Sequence, residues 1–498
     1  MAAATGAAPR ISLSAEGRVL RVRAPRDIQV LDPGYMIGGI DTWIQYACLG
    51  QLVNYKKGPK WDWQPSAMVD RAAWIDPTHL GFKLREGIQW SNGYGEVTSE
   101  DVKYSFERMK ESQWEDMYVA MSHVDIIDRY SGSVVLEFPF SPIVQVTLCY
   151  GTGSILSKQA VEDAGGKYAT EFPAICGPYR ISEWSPKQRI VLTPNPLWTG
   201  PPVGIEEIHF INIDDEKTAE LAYEAGDIDL TRIAVDSLPR YRENLPPATT
   251  LVELPGLQYS WVGMNTQHPK LKDIRVRKAI QHAIDVDLVL DGAYGGLAPK
   301  SHGIVPPGVL GNRTQSNYSY DPARARQLLS EAGVEGLEVE LKTLNSSDRL
   351  SAAQIVQANL AEIGISVEVI PLESGTFWDL GLESKGDAWK DLQMWIMQYG
   401  SSPDGYEPFQ WFVGSQVGIW NWERWTNDEF DTLFQAGLEE TDAGKREQIY
   451  LRMQAIMEDT GAYVWLTHQP IPMLHLDTLD PVIYPDGNIY PPWFEWTS

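Results

Sequence analysis

Residues 81–109, GFKLREGIQWSNGYGEVTSEDVKYSFERM, carry three local signals in a fixed order. Phe82, Leu84, Ile88 and Trp90 alternate with polar residues, the period-two pattern of a half-buried strand. Ser91-Asn92-Gly93-Tyr94-Gly95 is rich in residues that accept turn geometry. Thr98 then stands where a helix N-cap belongs, with Asp101 three places on, a capping-box arrangement. Val102, Phe106 and Met109 follow at helical spacing. None of these residues is a nucleophile, base or metal ligand by type and setting, so the stretch reads as a structural strand–turn–helix module.

The chain around it has 498 residues, past the size at which one hydrophobic core keeps growing, so two or three domains are expected. A formal charge of −26 argues against nucleic acid and anionic membrane surfaces as partners. No apolar run approaches the roughly twenty residues that span a bilayer, so no direct membrane insertion is expected. Cys48, Cys149 and Cys176 are too few and too scattered for a disulfide framework or a zinc site, and at most one bridge can form. The eight histidines show no HExxH and no close pair, so neither metal nor cofactor is expected. Nineteen Trp and twenty-two Tyr suit large cores and also aromatic walls around a ligand with apolar faces. The first nine residues have neither a basic nor an apolar signal region; if the protein is exported, its signal peptide has been removed and Met1 is an added start.

Along the chain, strands are predicted over 19–22, 28–31, 179–184, 188–194, 206–214, 257–265 and 365–370. Helices are predicted over 43–53, 217–225, 273–292, 321–333, 352–363 and 445–458. That alternation argues for an α/β architecture. Catalytic motifs are missing: there is no GxSxG, and residues 295–301 lack the Gly before Lys of a phosphate-cradling loop. With 67 acidic residues, carboxylate pairs such as Asp214-Asp215 arise by chance.

Phe82-Lys83-Leu84-Arg85-Glu86-Gly87 followed by Asp101-Val102-Lys103-Tyr104-Ser105-Phe106 resembles a signature of the family 5 extracellular solute-binding proteins, the peptide, nickel and oligosaccharide receptors of bacterial ABC importers. Further matches follow in family order. They are Leu31-Asp32-Pro33, Cys176-Gly177-Pro178-Tyr179, Asn195-Pro196-Leu197-Trp198 and Ala225-Gly226-Asp227-Ile228-Asp229, then the helix with Arg277, Ala279 and Ala283-Ile284-Asp285. The resemblance implies an α/β, two-lobed, periplasmic-binding-protein-like fold of class II type with an extra small inserted domain. It places the first lobe at 10–44, 173–256 and 468–498, the inserted domain at 45–172 and the second lobe at 257–467. Hinge crossings fall near Leu257 and His468. It further implies a periplasmic, monomeric receptor rather than an enzyme, with a small-molecule ligand between its lobes and a membrane-embedded ABC permease as partner.

The ligand-facing reading rests on residues 392–412, LQMWIMQYGSSPDGYEPFQWF, which resembles the family strand bordering the ligand, with Trp395 as its tryptophan. Peptide receptors of the family carry an Asp three residues later for the peptide amino group; here the position is Gln398. Dipeptide receptors also carry an Arg before the 352–363 helix; without gaps Thr343 falls there, with Arg349 out of register. With both charged anchors absent, the resemblance points to a neutral or sugar-derived solute: an oligosaccharide or glycoside, or an opine, with peptides as the alternative. The implied contacts are Tyr35, Met36 and Trp43 from the first turn's loop, Cys176 and Tyr259, and Trp395, Met397, Gln398, Tyr399, Trp411 and Trp420. Trp422 and Trp425 read as core.

Overall fold

The computed structural model describes residues 18–36 and 38–497. The 81–109 stretch forms strand, turn and helix, with its strand shorter than the alternation suggests. His79–Leu84 pairs antiparallel with Val69–Asp76 and Ser131–Leu136, and Met121–Ile126 completes a four-stranded sheet. Gly87, at φ +84°, then turns the chain, and Ile88 and Trp90 lie beyond the ladder. Both are still buried, and the Trp90 indole donates to the Asp101 carboxylate at 3.3 Å. The same carboxylate accepts the Thr98 backbone N–H at 2.9 Å, so one acid caps the helix Ser99–Glu107 and seats the tryptophan.

The chain divides into two compact units, Met1–Leu254 with Ile471–Ser498, and Pro255–Pro470. In the first unit, Val19–Ala24 lies parallel to Glu207–Asn212 on one side and to Leu230–Arg232 on the other. Arg189–Pro194 and Tyr179–Ser185 extend this sheet antiparallel beyond Glu207–Asn212. The helix Glu216–Ala225 starts at Asp215, whose carboxylate accepts the Thr218 N–H at 2.7 Å, and stops at Gly226, φ +80°. Its Ala219 and Tyr223 pack with Ile228, Ile233 and Tyr241.

In the second unit, Met394–Tyr399 runs antiparallel to the Tyr259–Met264 end of the long strand Thr249–Met264 and parallel to Glu338–Leu344. Ser366–Leu372 adds a parallel edge. The helix Ser347–Glu362 joins the two parallel strands, the crossover a parallel pair requires. Val262, Ile280, Leu328, Leu341, Val356 and Ile396 share one core between sheet and helices. The fold is thus mixed α/β.

Three helix boundaries differ from the sequence-based expectation, each for a local reason. The 273–292 segment is two helices, Ile274–Ala283 and Val286–Tyr294, because Asp285 caps the second by accepting the Leu288 N–H at 3.2 Å. The first helix is Ile40–Cys48; all nine of its residues are buried, so no polar face marks its ends. The 352–363 helix begins at Ser347. Cys48, Cys149 and Cys176 are all free and buried. Among the described residues no helix is long and apolar enough to cross a membrane, and no group of three or more His, Cys, Asp or Glu could hold a metal ion.

Candidate functional site

The strand Met394–Tyr399 is buried from Met394 to Met397 and half-buried at Gln398 and Tyr399. Its buried end is fixed by a close approach. Trp395 lies opposite Gly263, where a Cβ would sit 2.3 Å from the indole nitrogen, so only glycine fits. At the other end the chain opens through Gly400 and Ser401 into a cavity of about 490 Å³.

The walls of this cavity are aromatic. Trp378 stacks on Tyr399 (centroids 6.1 Å, planes 19° apart), and Trp420 meets Tyr399 edge-on at 6.1 Å and 90°. Trp411 meets Trp420 at 6.1 Å and 74°. The Tyr399 hydroxyl donates to the Trp420 carbonyl at 3.3 Å, tying strand to loop. Such offset and edge-on rings hold one another in place and leave faces free for a ligand.

Gln398 supplies the polar side. Its amide oxygen accepts from the Arg349 guanidinium, and its amide nitrogen donates to the Gln258 side-chain oxygen at 2.6 Å and to that of Gln469 at 3.4 Å. A guanidinium can only donate, so Arg349 fixes which way the amide points. Arg349 is 5% exposed. The nearest carboxylate is its neighbour Asp348, 3.5 Å away and 36% exposed. The expectation that no arginine stands here is therefore corrected. The helix starts five residues earlier than its apolar spacing suggests, which puts Arg349 in the first turn beside Gln398. Thr343 instead sits wholly buried on Glu338–Leu344.

Two more carboxyls lie close by. Glu407 lines the cavity; burial raises its pKa above the usual carboxylate range against hydrogen bonds from Ser402 that lower it. Glu423 is fully buried behind the aromatic wall, where it accepts the Trp261 indole N–H at 2.8 Å. Burial pushes Glu423 up to about 8.

The structure brings four of the expected residues, Gln398, Tyr399, Trp411 and Trp420, to one cavity. Trp395, Met397 and Tyr259 are enclosed beside it; Tyr259 stacks on Trp261 at 5.3 Å, and Trp395 meets Trp422 at 5.9 Å. Tyr35, Met36, Trp43 and Cys176 belong to the other unit. There Lys167 lies 3.4 Å over the Tyr35 ring, Met36 sulfur accepts from the Thr42 hydroxyl at 3.2 Å, and Cys176 sulfur is 4.0 Å from that of Met68. Trp43 borders a separate cavity of about 240 Å³ and donates to Asn488 at 2.8 Å. Sequence reasoning missed Trp378, Glu407, Gln258 and Gln469. Glu407 reads as a solvated helix position, and no local pattern singles out the other three.

Three comparisons bear on this arrangement. Residues 71–419 match the family described as bacterial extracellular solute-binding proteins, family 5 Middle. The "Probable D,D-dipeptide-binding periplasmic protein DdpA" of Escherichia coli (strain K12) is 26% identical over 458 residues, 88% of this chain and 86% of that protein. HbpA2 from Haemophilus parasuis has the same fold, with a TM-score of 0.85 at 21% identity over 97% of this chain and all of the other. AgaA of A. tumefaciens R10, solved with agropinic acid, gives a TM-score of 0.67 at 20% identity over 97% of this chain and 99% of the other.

Proposed function

We infer the ligand class from one premise: the chain belongs to the family 5 bacterial extracellular solute-binding proteins. Members of this family are binding proteins rather than enzymes. We propose that this one works in the periplasm, captures a small polar solute and hands it to a membrane-embedded ABC permease.

The solute carries a carboxylate. The observation that supports this is the Arg349–Gln398 contact: a buried guanidinium hydrogen-bonded to a neutral amide. A guanidinium cannot shed its charge, and the one carboxylate near it, Asp348 at 3.5 Å, is partly exposed and so answers that charge only weakly. A ligand carboxylate completes it with charge-assisted hydrogen bonds, Gln398 serves a neighbouring hydroxyl or amide, and Trp411 and Trp420 cover an apolar face. That ranks a sugar-derived acid of the opine kind above a neutral oligosaccharide. AgaA, with agropinic acid bound, is an instance of the same scaffold taking such a compound.

A second reading is a di- or oligopeptide whose C-terminal carboxylate meets Arg349. The likeness to a probable D,D-dipeptide-binding protein favours it. Against it, the position beside Arg349 holds the neutral Gln398 rather than the acid that peptide receptors of the family place there.

A thermal-shift screen over opines, neutral sugars, sugar acids, di- and tripeptides and metal chelates tests the proposal. The largest stabilisation is expected from a carboxylate-bearing, sugar-derived solute. Submicromolar binding of an unmodified dipeptide would establish the second reading. A neutral oligosaccharide as the best binder would overturn both.

A further inference from the structure

We propose that the cavity also holds a cation cage, in which Glu407 and the rings of Trp378, Tyr399, Trp411 and Trp420 receive an ammonium or guanidinium group of the solute. The inference rests on the reading of this cavity as the solute site and makes its ligand a zwitterion, with carboxylate toward Arg349 and basic group toward Glu407.

Among the described residues, Glu407 is the one acidic side chain lining the cavity, and no lysine, arginine or histidine lines it. Glu407 is hydrogen-bonded by both the side chain and the backbone of Ser402. It does not share the solution its neighbour Asp404 has found: both Asp404 oxygens accept from the Arg446 guanidinium at 2.8 Å, and the Tyr450 hydroxyl adds a third bond at 3.1 Å. Glu407 therefore faces an aromatic space with no cationic side chain among the described lining residues. Indole and phenol faces are the negative ends of their quadrupoles and attract a cation held within about 6 Å of the centroid. Four rings whose neighbouring centroids are 6.1 Å apart, with one carboxyl among them, can enclose such a group on several sides. A neutral sugar ring would stack on the same faces but would leave Glu407 unpaired.

The charge state of Glu407 follows from its surroundings. Burial favours the protonated acid, and the Asp404 charge adds to that. Among the described residues, Tyr259, Tyr399 and Tyr406 also lie around it, all with hydroxyls pushed up by burial and so neutral at working pH. A bound cation favours the ionised form, so binding is coupled to ionisation of Glu407 and weakens as pH falls through its raised pKa.

The test uses the full chain and simple probes. Tetramethylammonium, methylammonium and methylguanidinium are titrated against tert-butanol as an uncharged control, with tryptophan fluorescence as readout. The cations should bind saturably and the alcohol should not. The cation that binds best identifies whether an alkylated amine, a primary amine or a guanidinium group is the natural occupant. Glu407→Gln should weaken the cations tenfold or more and abolish the rise of affinity with pH. Calorimetry of the wild type over a pH series should show tetramethylammonium affinity falling toward low pH, a readout independent of whether the variant folds. Equal binding of tert-butanol and tetramethylammonium, or a cation affinity that does not fall at low pH, would overturn the cage. Acetate, titrated separately, reports on Arg349; indifference to acetate would count against the carboxylate reading and leave the cage standing.

Discussion

Arg446 and Arg349 are both buried, yet they are answered differently. Arg446, on the helix Ala443–Asp459, holds both oxygens of Asp404 at 2.8 Å and the Tyr450 hydroxyl at 2.8 Å, and Asp404 is 1% exposed. That pair is complete. Arg349 donates to the neutral amide of Gln398 and has only the partly exposed Asp348 as a nearby acid. Glu423 is the mirror case, a buried carboxyl with an indole as its donor. It can shed its charge by staying protonated, and it does, with a pKa of about 8. An arginine has no such escape. Of the three, Arg349 alone keeps its charge with only a partly exposed acid near it, and its partner Gln398 lines the open cavity.

The largest effect expected is at the completed pair. Arg446→Met strands Asp404 in the core and should cost about 3–5 kcal/mol of stability in chemical denaturation. Ligand affinity per folded molecule should be unchanged; a loss of affinity without destabilisation would show that Asp404 serves the ligand instead.

Glu423 gives a smaller effect with a definite sign. Its folded pKa of about 8 is above the ordinary 4.5, so the folded state holds a proton that the unfolded state has lost. Stability should therefore fall by about 2 kcal/mol between about pH 6.5 and 8. Glu423→Gln should flatten that decline. Below pH 6.5 His468 acts in the opposite sense: its folded value of about 4, lowered by burial from 6.5, makes stability fall as pH falls. A flat profile above pH 6.5 in the wild type would mean that Glu423 is ionised or reaches water.

Gln398→Glu sharpens the comparison by giving Arg349 the partner that Arg446 has. The new ion pair should leave stability within about 1 kcal/mol while weakening a carboxylate ligand about tenfold, a loss of about 1.4 kcal/mol. Tighter binding of the same ligand would mean that Gln398 meets a cation and that the roles assigned to the two sides of the cavity are reversed.

Much of the architecture is legible in the sequence because local chemistry writes it down. Thr98 with Asp101, Gly226 after the 217–225 helix, and Asp321 followed by Pro322 each mark a helix end by a side chain that caps or a backbone that turns, and the structure places helix ends at each. Gln398, Trp411 and Trp420 are legible through the resemblance of one continuous stretch. Arg349 is not, because its position depends on where a helix starts, and Ser346 there lacks a capping bond to the backbone. Gln258 and Gln469 reach Gln398 from 140 and 71 residues away, a closeness that no local period encodes. Glu407 is hidden for a different reason: a half-buried acid on a short helix has the same local pattern as a solvated one.

Calorimetry of the best carboxylate-bearing solute from the screen, against the wild type and Arg349→Ala, addresses the central claim most directly. Loss of a charge-assisted contact should weaken binding by about 2 kcal/mol, roughly 30-fold, with little change in melting temperature of the ligand-free protein. Undiminished affinity in Arg349→Ala would contradict the account, because the buried guanidinium would then have no part in holding the solute.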